Sequence, residues 1–311
     1  MNNNIKKINL NHSFIFFIAI NVFSILVFKF NIYNISTILC LALILIIGVS
    51  HGSLDHIKGK KLLALFNIQK NYLFYLIYIL TSLAVIFIWI LIPSITLIVF
   101  LIVASYHFGK EDTEFLITNK SYLTEILYFF KGVLIILAPL HFHFQETIEI
   151  FKLLLITNEV FYLSLDFIET NRVIQIGIIL STLSSIFLFF KEFEIKKFSI
   201  FFDYFSILIL NYYLPPLIAF TIYFCFLHSI RHSISLAIEL DGDNLFNGFK
   251  IFAKKALPLT ILTGVFCLIS LYLINSGNNL DEAVLKVIFI GLASLTFPHI
   301  LLEYFLEKNE K

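Results

Sequence analysis

Ten stretches apolar enough to enter a lipid bilayer follow one another along this chain, and nothing else in the sequence limits its fold so strongly. A membrane-crossing helix needs about 20 mainly apolar residues. The stretches at 13–30, 33–50, 72–92, 94–108, 122–140, 173–190, 198–214, 217–238, 256–275 and 284–305 approach or meet that length. Within lipid every backbone amide must find a partner inside the structure, so runs of this kind resolve into helices. Charged residues make up 14% of the 311-residue chain, against about 25% in a typical soluble domain, and mean hydropathy is +0.92. The expected fold is all-α, a polytopic integral membrane bundle of eight to ten transmembrane helices in which residues 1–311 form a single membrane domain. A formal net charge of +1 gives no basis for binding nucleic acid.

Lysines set the expected orientation, because cytoplasmic loops carry the excess of basic residues. Placing Lys6 and Lys7 in the cytoplasm also puts there Lys58, Lys60, Lys61 and Lys70, then Lys191, Lys196 and Lys197, then Lys250, Lys254 and Lys255, and finally Lys308 and Lys311. Lys152 and Arg172 fall on the far side. Residues 1–12 and 306–311 are then cytoplasmic tails, and both termini face the same compartment. The first stretch has the basic start of a signal sequence, but its core is long and no small-residue cleavage site follows, so it reads as a retained span. Residues 141–171 fit an interfacial or re-entrant helix. Cys40, Cys225 and Cys267 are far apart and form no CxxC or other metal-binding spacing.

The histidines are the chemistry-bearing residues. His51 ends the second stretch in "GVSHGSLDH", His107 ends the fourth in "SYHFGKED", His228 and His232 lie in the eighth in "FLHSIRHSI", and His299 lies in the tenth in "FPHILLE". These four stretches run in the same direction through the membrane, so their histidines gather at one depth, in the cytoplasmic half. His228 and His232 are four apart and share a helix face. Ionisable groups at such depth are costly and mark function by default. Imidazole suits iron, copper, nickel and zinc. The alternative use of a membrane histidine, bridging two helices by hydrogen bonds, stays open at this point for each histidine taken singly. Together, His51, His107, His228 and His232 form the candidate metal-ligand set.

Other polar residues surround that set. Asp55, one turn after His51, is placed to accept the second ring N–H of His51, and Asp112 to do the same for a neighbouring ligand. His56 is near the site but off the His51 face. Arg231 is expected to pair with a carboxylate, and His299 with Glu303 at i,i+4. Glu111 reads with Lys110 as a solvated helix end, Asp203 as polar glue between helices or as a sign that the seventh stretch is tilted or short, His141 and His143 as interfacial, and His12 as a tail residue. Glu125 and Lys131 interrupt the fifth stretch without sharing a face. No GxGxxG, GxxxxGK[ST] or GxSxG motif occurs.

In this order, "GVSHGSLDH", "YHFGKED", "HSIRH" and "FPHILLE" resemble the Brp/Blh family of bacterial and archaeal membrane β-carotene 15,15′-dioxygenases, over about residues 40 to 305. Ser50 stands where that family commonly has proline, which touches the aim of His51 without removing a ligand. The resemblance implies one Fe(II) held by His51, His107, His228 and His232, and no catalytic residue beyond those ligands. It implies cleavage of β-carotene by O₂ at the central double bond to give two retinal molecules. It also implies a multi-pass protein in the lipid bilayer of a bacterial or archaeal cell (inner) membrane, with a functional link to a retinal-binding rhodopsin. The 37 phenylalanines and 14 tyrosines offer rigid faces for a conjugated chain, without naming a tunnel. Competing readings are a histidine-rich transporter or haem-binding protein, a di-iron desaturase or hydroxylase, and a retinal-binding helper without chemistry. HSIRH fits the HxxxH box of the di-iron enzymes, but their HxxHH is absent.

Overall fold

The computed structural model describes residues 3–30, 35–117, 121–275 and 279–309; the side chains of Asn3 and His51 also lie outside the described residues. Among the described residues there is no strand. Helix α1 (Asn3–Phe30) is followed by α2 (Thr37–Leu43), a π-helical segment (Ile44–Gly48), a 3-10 turn (Val49–Leu54) and α3 (Asp55–Leu65). Next come α4 (Tyr72–Leu91), α5 (Pro93–Glu111) and α6 (Tyr122–Phe142), then the short α7 (Phe144–Leu153) and α8 (Glu159–Thr170). The chain continues through α9 (Val173–Phe190), α10 (Phe198–Tyr213) and α11 (Pro216–Ile222) into a second π-helical segment (Tyr223–Ser229). It ends with α12 (Ile230–Leu240), α13 (Leu245–Asn275) and α14 (Leu280–Asn309). Pro93 and Pro216 each open a helix, where a missing N–H costs nothing.

Eight of these helical units, with α11 and α12 read as one through the π segment, are long and apolar enough to cross a membrane. The bent pair Thr37–Gly48 and Gly52–Leu65, at 42° to each other, makes a ninth if it is one span. The chain is therefore a polytopic helical bundle, as its composition implies. Not every expected stretch meets the criterion. The one at 198–214 becomes α10, whose 16 residues span about 24 Å at 1.5 Å per residue, short of a hydrocarbon core about 30 Å thick. Its polar residues Ser199, Asp203, Ser206 and Asn211 are buried inside the protein. The ambiguous 141–171 stretch is α7 and α8, and the Asn158 side chain caps α8 by accepting from the Val160 and Phe161 amides. The stretch expected as an N-terminal tail is helical from Asn3, with Asn9 buried.

Two contacts fix the part of the bundle that carries the histidines. A Cβ on Gly109 would stand 1.8 Å from the Tyr128 carbonyl oxygen, and one on Gly132 would stand 1.8 Å from that of Ser105. Helices α5 and α6 thus touch backbone to backbone, the close approach that small residues permit in membranes. A Cβ on Gly48 would meet the Phe224 ring at 2.5 Å, so the two π-helical segments are pressed together. π-Helical turns inside longer helices recur at functional sites. Here one leads into His51 and the other contains His228. On the outside of the bundle, α13 exposes its apolar side chains, among them Ile261, Phe266 and Leu273, as a lipid-facing helix would.

Candidate metal centre

Imidazoles from three helical units meet at one end of the bundle. Ring centroids lie 5.5 Å apart for His107 and His228, 5.4 Å for His107 and His299, and 6.0 Å for His232 and His299. All four are buried. His107 comes from the last turns of α5, His228 from the second π segment, His232 from the first turn of α12, and His299 follows Pro298 in α14. His51 lies in the 3-10 turn Val49–Leu54, and its side chain is outside the described residues. The backbone of that turn runs beside the cluster, since a Cβ on the next residue, Gly52, would stand 4.0 Å from His299 Nδ1.

A carboxylate holds three of these rings at Nδ1. His228 Nδ1 donates to Asp112 Oδ1 at 3.2 Å, His232 Nδ1 to Glu111 Oε2 at 3.1 Å, and His299 Nδ1 to both Asp55 oxygens at 2.9 Å. A carboxylate on Nδ1 fixes the tautomer with the proton there and leaves Nε2 as the coordinating atom. This is the usual second partner of a metal-binding histidine. The carboxylates are themselves held. Tyr223 Oη donates to Asp112 Oδ2 at 2.6 Å, and Tyr78 Oη donates to Asp55 Oδ2 at 3.0 Å.

Glu303, one turn after His299 on α14, sits among the rings. One ligand atom from each of His107, His299 and Glu303 falls within 4.8 Å of the others, and the same holds for Glu111, His232 and Glu303. Glu303 Oε1 accepts from Lys58 Nζ at 2.8 Å and lies 3.7 Å from His299 Nε2. Buried imidazole nitrogens and carboxylate oxygens without a thiolate suit iron, zinc or copper. Such a set can hold a cation away from bulk water.

The surrounding residues follow the sequence reading in part. Asp112 does hold a neighbouring histidine, His228, and the i,i+4 pair of His299 and Glu303 is present. Asp55 was expected to steady His51; among the described residues its partners are His299 and Tyr78. Glu111 is no solvated helix end: its side chain is mostly buried, and His232 of α12 bonds to it. Its position four residues after His107 was the available signal. Nothing in the sequence marked Tyr78 or Tyr223. His56 turns back on its own turn, donating from Nδ1 to the Ser53 carbonyl at 2.9 Å. Arg231 lies behind the cluster, bonded to both Asp203 oxygens at 2.8 and 2.9 Å, to Ser13 Oγ at 2.8 Å and to the Asp112 carbonyl at 3.1 Å. Asp203 is thus the interhelical glue expected of it. His12 is helical rather than a tail residue, and its Nε2 donates to the Phe226 carbonyl at 2.9 Å.

A row of rings, stacked as far as Phe220 and tilted at Phe289, leads away from the cluster. The Phe224 and His228 planes lie 17° apart at 5.9 Å, Phe220 and Phe224 lie 9° apart at 5.4 Å, and Phe289 follows Phe220 at 5.6 Å.

Comparison with known proteins adds a name to this geometry. A family model described as beta-carotene 15,15′-dioxygenase matches residues 42–307. A protein of that name from an uncultured marine bacterium, 66A03, is 29% identical over 264 residues, covering 84% of this chain and 90% of the relative. No solved structure matches the chain.

Proposed function

The chain belongs to the β-carotene 15,15′-dioxygenase family, and from that premise we propose that it cleaves the central double bond of β-carotene with O₂ to give two retinal molecules at a non-haem Fe(II) centre. The observation that carries this reading is the set of buried imidazoles from separate helices, three of them tethered at Nδ1 by carboxylates. His51, His107, His228 and His232 would hold the iron. Bound ferrous iron supplies the one-electron reactivity by which O₂ attacks a closed-shell polyene.

The protein's own groups do the rest. Asp112 and Glu111 keep the His228 and His232 rings aimed, so their orientation is settled before substrate arrives. The row Phe289–Phe220–Phe224 offers a flat apolar wall to a conjugated hydrocarbon and ends at His228. Burial of the cluster keeps water away from it. One substrate molecule and one O₂ account for all atoms of two retinals, so no further reductant is required. The substrate dissolves in lipid, which suits an enzyme embedded in the inner membrane of a bacterial or archaeal cell. The lysine distribution favours both termini in the cytoplasm, and the product suits use by a retinal-binding rhodopsin.

Expression in a β-carotene-accumulating cell tests the reading: colour loss with extractable retinal is expected, and a His228→Ala control should stay pigmented. Pigment that persists with the wild-type chain folded in the membrane would contradict it. One observation favours a rival. Glu303 belongs to both ligand triads, as a carboxylate bridging two irons would. One iron per chain fits the present reading, and two would favour the di-iron alternative.

A further inference from the structure

Resting on the reading above that the cluster binds iron, we propose that His299 and Glu303 are direct ligands with His107 and His232, in place of one or both of the other two histidines named there, so that α14 supplies an imidazole and a carboxylate and a position stays open for O₂. The family resemblance assigns neither residue this role, and spacing alone put His299 beside the ligands.

Three observations converge on it. First, the His299 ring is in contact with both His107 and His232, at 5.4 and 6.0 Å. A residue that merely oriented a ligand would be hydrogen-bonded behind one ring, whereas His299 adjoins two. Second, His299 has its own orienting carboxylate. Asp55 takes Nδ1 through both oxygens at 2.9 Å, and Tyr78 fixes Asp55 in turn. This matches the tethering of His228 and His232 and points Nε2 toward the cluster. Third, Glu303 is the residue common to the two ligand triads, and it lies one turn from His299 on the same face of α14.

A carboxylate ligand also changes the charge of the site. Neutral imidazoles bring no charge into contact with a ferrous ion, and the carboxylates behind them act only through the rings, in a low-dielectric interior where unpaired charge is costly. Glu303 brings one negative charge to the centre. Lys58 Nζ, 2.8 Å from Oε1, positions the carboxylate from its other side.

The test uses Co(II) as a visible probe on the purified full-length protein in detergent, stripped of metal and then titrated. The wild type is expected to bind one Co(II) with a defined d–d absorption band. His107→Ala serves as the reference for loss of a ligand, and His299→Ala should lose Co(II) to a similar degree. Asp55→Asn should keep the band pattern but bind about 10–100-fold more weakly, as loss of an orienting partner does. Glu303→Gln, nearly the same shape, should shift the band because the ligand set changes. It also keeps the proposal testable if His299→Ala fails to elute as a monodisperse folded species. Wild-type affinity and an unshifted band in both His299→Ala and Glu303→Gln, with binding lost in His107→Ala, would overturn this inference and leave the iron site intact. Failure of the wild type to bind either Co(II) or Fe(II) would instead overturn the underlying reading along with it.

Discussion

Asp112 concentrates more of the site than any single histidine. It accepts from the His228 ring and from Tyr223, and its backbone carbonyl accepts from Arg231. Asp112→Asn is expected to lower iron affinity about 10–100-fold, read as iron retained after dialysis against a graded chelator. Arg231 answers to a different partner. Removing Asp203 leaves a buried guanidinium without its bidentate carboxylate, so Asp203→Ala should cost about 3–5 kcal/mol, measured by unfolding in detergent. At this scale the sequence was legible where polarity is rare: histidines stand out in an apolar chain. It was illegible where a residue's role depends on which helix packs over it. Glu111 looks like a solvated helix end because nothing local records α12, and Tyr78 looks like any membrane tyrosine until Asp55 arrives from α3.

Helix contacts place these residues, and the glycines show how tightly. A Cβ on Gly132 would strike the α5 backbone at the Ser105 carbonyl and the Gly109 amide, leaving no room for a side chain. Gly132→Leu should separate α5 from α6 and displace His107. Overpacking of this kind costs about 1–3 kcal/mol or more, and a lower melting temperature together with lost iron is the expected outcome. Gly109→Ala should act in the same direction, since its Cβ meets backbone rather than a movable side chain. The apolar runs announced most of these helices, but two element-scale features left no trace. A π-helical turn shifts hydrogen-bond register without changing hydrophobicity, so neither Ile44–Gly48 nor Tyr223–Ser229 was foreseeable. Helix α10 was expected as a span because apolar content alone does not show that its polar residues face inward or that it stops at 16 residues.

For the molecule as a whole, the bundle separates a greasy exterior from a buried polar end. Helix α13 and most of α4 offer apolar side chains outward, where only lipid satisfies them. Under the proposed activity, a hydrocarbon substrate would arrive from that same phase. If the Phe289–Phe220–Phe224 row guides it, Phe220→Ala should lower kcat/KM while iron content stays unchanged. An aromatic contact is worth about 0.5–1.5 kcal/mol, which corresponds to roughly a 2- to 13-fold loss at about 1.36 kcal/mol per tenfold. The proposed cytoplasmic C-terminus is testable separately: a C-terminal green fluorescent protein fusion should fluoresce, and a dark fusion would contradict that orientation.

The most direct measurement of the central claim is product stoichiometry with controlled metal. The purified protein, given β-carotene in detergent under O₂, should yield two retinals per β-carotene consumed. Turnover should vanish after chelation and return with Fe(II) but not with Zn(II). Cleavage that is indifferent to chelation, or that yields two apocarotenals of unequal length, would contradict the account.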